Sequence, residues 1–379
     1  MPQAKRKSHS GTKTKVKSGA KRAPNRAKLT VGVVKRLQEL SEAVGVSGDE
    51  GAIRKIVLNA IDGHVDQVST DTMGNIIATK KGRGRMHVMA AAHIDEVGVM
   101  IVAVSSDGLL RFAPNGGLDP RVLIGKPMWV GREKIPGVIG ASPVHLLNRN
   151  EQNASPSMES LRIDIGASSK EAALRYVRPG ERATFATPFE NLGHTLRGKA
   201  LDDRVGVAIL IELLRGKALP FKFTAAFTVQ EEVGLRGARV AAFTIEPDAA
   251  VVLEVTPAND LPAEDEANEN VHYNARLGFG PALSLADASS LHDRRLVAHF
   301  EAVARAQKIP FQYRQPGGGG NDAGAIQRSH DSIPIIGISV PARYIHSPAA
   351  LVSREDIANT IKLVRAGLEA LSPKVLSRK

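Results

Sequence analysis

The pattern of apolar and polar positions along the chain predicts helices that alternate with buried strands. Apolar residues recur at helical spacing in five segments, which are 31–46, 52–61, 205–214, 291–308 and 355–371. This spacing is typical of helices that bury one face. Uninterrupted apolar runs occupy four segments, which are 87–92, 221–229, 248–253 and 333–340. Such runs predict strands that are buried on both faces of a sheet, and their alternation with helices favours an α/β domain.

The pattern changes in the middle of the chain. From about residue 98 to residue 197 the apolar stretches are short and are interrupted by Gly and Pro, which is typical of strands joined by turns. We therefore predict a small all-β domain, residues 98–197, inserted into an α/β domain made of residues 29–97 and 198–379. A hairpin is also predicted over 66–79, with its turn at 71–75.

The charge of the chain is concentrated at one end. Residues 1–28 contain ten Lys/Arg and no Asp or Glu, whereas the other residues carry 41 of the 51 basic side chains and all 39 acidic ones. Because this tail has almost no large apolar residues, we predict that it is disordered. Both a solvated extension and an arm that binds nucleic acid or another polyanion fit its composition.

The composition also limits the chemistry. The sequence has no cysteine, which excludes disulfides, thiolate-held metals and a cysteine nucleophile. No apolar run approaches the roughly 18 residues of a membrane helix, and no secretory signal pattern follows the early charges. We expect a cytoplasmic protein without a membrane segment, in which any metal is bound by histidine and carboxylate.

Metal-ligand residues follow each of the four predicted buried strands. In strand order they are His93, then Glu231 and Glu232, then Glu254, then His346. In open α/β sheets, sites form outside the carboxyl ends of the strands, so these side chains are expected to meet. Nitrogen and oxygen ligands without thiolates suit zinc, cobalt or manganese.

Two aspartates extend this group. Asp202 stands beside Asp203 at the start of the helix over 205–214, in the stretch GKALDDR. An aspartate in this place is often only a cap for backbone N–H groups, but together with the other candidates it favours a carboxylate that bridges two metal ions. Asp95 lies two residues after His93, and a carboxylate can fix the second nitrogen of a ligating imidazole.

Seven stretches resemble the tetrahedral aminopeptidases, which are glutamyl-aminopeptidase-type peptidases with two metal ions, sometimes labelled endoglucanases. The stretches are AAHIDEVGVM, GVIGASPVHLL, IDIGASS, GKALDDRVGVA, QEEVGLRGA, GGGGNDAGAI and VPARYIHSP, and the resemblance covers about residues 30–372. It implies a three-layer di-zinc peptidase domain with a mixed sheet. It also implies that the all-β insert is a small barrel-like dimerisation domain, and that dimers assemble into a dodecamer.

The resemblance assigns roles by position. Asp202 would bridge both metals, His93 and Glu254 would complete one site, and Glu232 and His346 would complete the other. Glu231 would be the catalytic base, Asp95 would orient His93, and a cis peptide, rare outside proline, would join Asp202 to Asp203. Contacts to the substrate are predicted for the glycine-rich turn and its surroundings, namely Gly319, Gly320, Asn321, Asp322 and Arg343.

The sequence departs from the usual family pattern at two positions. Glu254 stands where aspartate is usual; we expect metal binding to survive this difference, and metal preference or affinity to be the property that it can change. Asn321 stands where threonine is more usual. Two divalent ions against three ligating carboxylates leave a charge of about +1. Such a site lowers the pKa of a bridging water toward ~7 and polarises the scissile carbonyl, while Glu231 would pass the proton to the leaving amine.

The expected function is therefore a metal-dependent aminopeptidase that acts on peptides. The favoured metals are zinc or cobalt, with manganese as a third choice. Two other functions remain open on the residues alone. A pair of carboxylates can also cleave a glycosidic bond, although an aromatic content of 4% offers few stacking platforms. A scaffold that binds nucleic acid through residues 1–28 would show steep salt dependence and is compatible with peptidase activity.

Overall fold

The structure is a computed structural model that describes residues 27–258, 260–261, 275–317 and 319–377. The tail predicted to be disordered, residues 1–28, lies outside the described residues except for Ala27 and Lys28. Within the described ranges, the helices are all too short or too polar to cross a membrane.

The described residues form ten α-helices and seventeen strands. The helices are α1 Val31–Glu42, α2 Gly51–Ile61, α3 Arg149–Asn153, α4 Lys170–Ala173, α5 Leu201–Arg215, α6 Arg236–Ile245, α7 Arg294–Ala306, α8 Asp322–Gln327, α9 Arg354–Ala370 and α10 Pro373–Leu376. The first nine strands are β1 Gln67–Thr70, β2 Ile76–Lys80, β3 His87–His93, β4 Gly98–Val104, β5 Leu110–Asn115, β6 Pro127–Val130, β7 Ile135–Gly140, β8 Arg162–Asp164 and β9 Arg182–Phe185. The others are β10 Glu190–Asn191, β11 Thr195–Gly198, β12 Lys222–Thr228, β13 Ala249–Pro257, β14 Ala282–Ser284, β15 Gln312–Arg314, β16 Ile335–Arg343 and β17 Ala350–Ser353.

Eleven of these strands form one mixed sheet. Its main path is β1-β2-β12-β3-β13-β16-β17-β11-β10, and β14 and β15 extend it from β16. The four central strands, β12, β3, β13 and β16, are parallel, whereas the outer pairs along the main path are antiparallel. The predicted buried runs are these four central strands, as expected for strands that are covered on both faces.

The sheet lies between two layers of helices. Along β3, Val88, Ala90 and Ala92 belong to a large core shared with α1, α2, α5, α7 and α9, whereas Met89 and Ala91 belong to a smaller core shared with α6 and α8. Successive strand residues point to opposite faces, and this alternation separates the two cores. The expected three-layer α/β architecture with a mixed sheet is confirmed.

The inserted all-β part is a closed six-stranded barrel. Its strands pair in the order β4-β5-β8-β7-β6-β9, and β9 closes the barrel onto β4. The insert ends earlier than the expected residue 197, because β10 and β11 pair with each other and with β17 in the main sheet. The last barrel strand therefore ends at Phe185.

One buried carboxylate connects the barrel, the loop after α1 and the segment that enters α5. Glu96 accepts hydrogen bonds from the Gly45 amide at 2.9 Å and from the Thr184 hydroxyl, on barrel strand β9, at 2.8 Å. Lys199 Nζ donates to both of its oxygens at 2.8 and 2.7 Å, and Arg204 Nη2 lies 3.4 Å from it. The network fixes the segment that carries Asp202.

Candidate metal centre

The carboxyl edge of the central sheet brings five candidate ligands together. Strand alternation aims two of them, because His93 continues the Met89–Ala91 row of β3 and Glu254 continues the Ala250–Val252 row of β13. These rows face the α6–α8 layer, so both side chains point to the same side of the sheet.

Loops after the strands supply the other ligands. Glu231 and Glu232 follow β12, and His346 follows β16, where it has a φ of 55°. Asp202 comes from the irregular start of α5, where Asp202 and Asp203 both have non-helical dihedral angles. The expected cis peptide between Asp202 and Asp203 is present.

The ligand atoms form two groups that share Asp202. His93 Nε2 lies 3.4 Å from Asp202 Oδ1 and 3.9 Å from Glu254 Oε2. His346 Nε2 lies 3.5 Å from Asp202 Oδ2 and 3.5 Å from Glu232 Oε2. In each group the three ligand atoms all lie within 4.8 Å of one another, and each carboxylate oxygen of Asp202 faces a different histidine.

Asp95 contacts one residue of each group. It is fully buried, and its Oδ1 lies 3.4 Å from His93 Nδ1. Its two oxygens accept hydrogen bonds from the Glu231 amide at 3.0 Å and the Glu232 amide at 3.2 Å, and the Ser47 hydroxyl donates to it at 2.6 Å. One carboxylate therefore fixes the 231–232 turn by hydrogen bonds and lies against the His93 imidazole.

The centre concentrates negative charge in a buried place. Burial raises the pKa of Glu231 and of Glu254 well above the usual range and raises the pKa of Glu232 to about 7. For Asp202 burial acts in the same direction, but the contacts with His346 and His93 outweigh it and lower the pKa. These carboxylates are ionised together only where positive charge lies among them.

The donor set fits divalent cations. Asp202 Oδ1 and Glu254 Oε1 are buried and have no hydrogen-bond partner among the described residues. A buried polar atom without a partner costs free energy, and a cation in the group of His93, Asp202 and Glu254 would pair both of these oxygens. Two imidazoles and three carboxylates are nitrogen and oxygen ligands suited to zinc, cobalt or manganese.

A cleft of about 690 Å³ opens over the candidate ligands. Gly319, Gly320 and Asn321 line it, as do Ser289 and Arg314. Sequence reasoning missed the last two, and the only available signal was a cationic residue shortly before the glycine run.

The other two residues predicted to contact substrate do not line this cleft. Asp322 is buried beneath it and accepts a hydrogen bond of 2.5 Å from the Thr228 hydroxyl. Arg343 lies at the end of β16, where its guanidinium donates to Asp260 at 2.6 and 2.9 Å and lines a different cavity. The tight ion pair with Asp260 explains why this arginine is directed away from the candidate centre.

Comparisons with known proteins agree with this geometry. Residues 74–363 match the family described as M42 glutamyl aminopeptidase. The chain is 35% identical to lysyl aminopeptidase of Pyrococcus furiosus over 346 residues, which are 89% of this chain and 97% of the relative. It is 31% identical over 350 residues to glutamyl aminopeptidase of Lactococcus lactis, covering 89% and 96% of the two chains. Among solved structures it is similar to the TET1 peptidase of Pyrococcus horikoshii, with a TM-score of 0.79, 33% identity and coverage of 89% and 100%.

Proposed function

The chain belongs to the M42 glutamyl aminopeptidase family and is an aminopeptidase, and we propose that it cleaves peptides with two divalent ions bound at the carboxyl edge of its sheet. The observation that carries this proposal is the pair of three-residue groups that share Asp202. A carboxylate with one oxygen in each group is suited to bridging two cations.

In this proposal each ion has three protein ligands. His93, Asp202 and Glu254 hold one ion, and Asp202, Glu232 and His346 hold the other, with zinc or cobalt favoured and manganese as a third choice. Ions bound there would activate a water molecule and polarise the scissile carbonyl.

Glu231 is the general base of the proposed reaction. It lines the cleft and belongs to neither of the two groups that share Asp202, although its carboxylate forms a third group with His93 and Glu232. The bond from its amide to Asp95 fixes its backbone. Its carboxylate takes a proton from the attacking water and later gives it to the leaving amine. Burial raises its pKa well above the usual range, so positive charge from bound ions would be required to keep the carboxylate ionised and able to accept the proton.

Assembly through the barrel is the second part of the proposal. The similar TET1 peptidase of Pyrococcus horikoshii is described as able to assemble into a tetrahedron or a large octahedral shell, and we propose dimers that form a dodecamer here. Exposed apolar side chains on the barrel support it, for example Val102, Val138 and Tyr176. Light scattering of the purified protein gives the mass directly. Cytoplasmic location and nucleic-acid binding by residues 1–28 stay predictions.

The test of the proposed function is a panel of aminoacyl chromogenic amides. Protein stripped of metal should be inactive and should regain turnover when zinc, cobalt or manganese is added back. Activity that is unchanged by stripping and by chelator would overturn the metal dependence. An aminopeptidase acts at a free amino terminus, so turnover of N-acetylated amides at the rate of free ones would contradict this activity.

A further inference from the structure

One permanently charged cation lies in the wall of the cleft. Among the described residues that line it, Asp202, Glu231, Glu232 and Glu254 are acidic, and the only basic residues are the two candidate ligand histidines and Arg314. An arginine is always protonated in proteins. Arg314 is therefore a fixed positive charge in an otherwise acidic cleft.

The guanidinium of Arg314 is enclosed but incompletely bonded. Arg314 is 7% exposed, and its Nε is buried without a hydrogen-bond partner among the described residues. Nη2 donates to the Gly319 carbonyl at 3.4 Å, and Nη1 lies 3.8 Å from Asp287 Oδ2, beyond hydrogen-bond distance. A guanidinium has five N–H donors, so these two long contacts leave most of its donors without a partner among the described residues.

Asp287 lies near the Arg314 guanidinium but does not form a hydrogen bond with it. The amide and hydroxyl of Ser289 donate to Asp287 at 2.7 and 2.9 Å, and those of Ser290 donate at 2.8 and 2.9 Å. Ser289 in turn packs against Gly320 and Gly324, where an added Cβ would lie 2.4 and 2.2 Å from its hydroxyl. The carboxylate is thus held rigidly by its own loop, and the nearby guanidinium keeps its donors for a ligand.

We propose that Arg314 binds a carboxylate of the substrate and thereby determines which peptides the cleft accepts. Arginine pairs with carboxylate through two parallel hydrogen bonds, and such pairs are strong in an enclosed site. This inference rests on the proposed function, but family membership does not supply it, because the family is described as glutamyl whereas one relative is a lysyl aminopeptidase. The carboxylate belongs either to an acidic N-terminal side chain or to the C-terminus of a short peptide.

Matched substrate pairs distinguish the two sources. Glutamyl and glutaminyl p-nitroanilides differ only in the side-chain carboxylate, and Ala-Ala and its C-terminal amide differ only in the terminal carboxylate. In one of the two pairs, Arg314→Met should lower kcat/KM for the substrate that carries the carboxylate by about tenfold to a hundredfold relative to its neutral partner. This is the usual loss for a hydrogen bond to a charged group. Arg314→Lys should recover part of the ratio, because it restores charge without the planar fork.

The ratio within each pair is insensitive to a general loss of folded enzyme. Arg328→Met is the matched control, since Arg328 is exposed and does not line the cleft; both ratios should equal those of the wild-type enzyme. If Arg314→Met changes the rates of all four substrates equally, Arg314 has only a structural role and the proposal is wrong.

A binding experiment separates this proposal from the proposed function. Calorimetric titration of wild-type enzyme and Arg314→Met with L-glutamate and L-glutamine requires no turnover. Weaker binding of glutamate alone assigns the side-chain carboxylate. Unchanged or equally weakened binding of both excludes that source, and an unchanged rate ratio for Ala-Ala and its C-terminal amide in Arg314→Met then overturns the role of Arg314.

Discussion

Lys199→Met tests the buried network at the start of α5. Lys199 is 1% exposed, and its Nζ donates to the two Glu96 oxygens at 2.8 and 2.7 Å and to the Ala43 carbonyl at 2.8 Å. Removing one partner of a buried ion pair costs about 3–5 kcal/mol, because the remaining charge is left uncompensated. Arg204 and the Thr184 hydroxyl still contact Glu96, so we expect a loss at the lower end, about 3 kcal/mol.

The same substitution has a signature in pH dependence. Burial lowers the pKa of Lys199 from 10.5 to about 8, although Glu96 opposes the change. Since the folded pKa lies below the unfolded one, the unfolded chain binds the proton more tightly, and stability from this group rises with pH between about 8 and 10.5. The free energy of unfolding of the wild-type protein should therefore rise relative to that of Lys199→Met as the pH increases from about 8 to 10.5.

Urea unfolding followed by circular dichroism from pH 7 to pH 10 measures both effects. Lys55→Met is the control, because Lys55 is exposed on α2 and should change the free energy of unfolding by less than about 0.5 kcal/mol. Adding Glu96→Gln to Lys199→Met should recover part of the loss by removing the uncompensated charge. A Lys199→Met protein as stable as wild type at pH 7, or a difference that does not grow with pH, would refute the reasoning.

Four further substitutions probe the centre and the packing of the fold. Glu231→Gln should keep the metal and lower kcat by about 100- to 10,000-fold; metal analysis with kinetics checks this, and near-normal turnover would remove Glu231 from the base role. His346→Ala should lose at least one ion per chain because it removes one of three ligand side chains, and two tightly bound ions would contradict the assignment. Gly237→Ala should destabilise the protein by about 3 kcal/mol, since its Cβ would lie 2.4 Å from the Val229 carbonyl oxygen. Gly51→Ala, with no atom within 4 Å, should be neutral or slightly stabilising; thermal unfolding of both tests the contrast, which equal melting temperatures would contradict.

The parts of the fold that follow from the sequence are those with strong periodicity. The predicted run 221–229 becomes β12 Lys222–Thr228, and the predicted helix 355–371 becomes α9 Arg354–Ala370, because burial of a continuous face leaves a regular pattern. Short strands left no such pattern. β10 has two residues and β14 three, and their pairing is decided by distant neighbours.

The candidate site can also be predicted from the sequence only in part. Residues at the ends of parallel strands meet because the strands share one edge, and His93, Asp202, Glu232, Glu254 and His346 do converge. Their roles stay predictions until metal is measured.

The direction in which a side chain near the site points depends on contacts with residues far away in the chain, and these cannot be read from the sequence. Arg343 is turned away by Asp260, 83 positions earlier in the chain. Arg314 faces the cleft from β15, a strand of three residues that extends the sheet beyond β16.

The order of the strands also sets the order in which the chain can complete its sheet. β3 pairs with β12 and β13, so its nearest sheet partner in sequence begins at Lys222. All six barrel strands lie between β3 and that partner, from Gly98 to Phe185. A ribosome therefore releases a full barrel while the apolar strand before it still has two open edges, the condition under which unfinished chains aggregate. Because Lys222 lies more than a hundred residues beyond His93, β3 has no partner strand until that further length of chain has been synthesised.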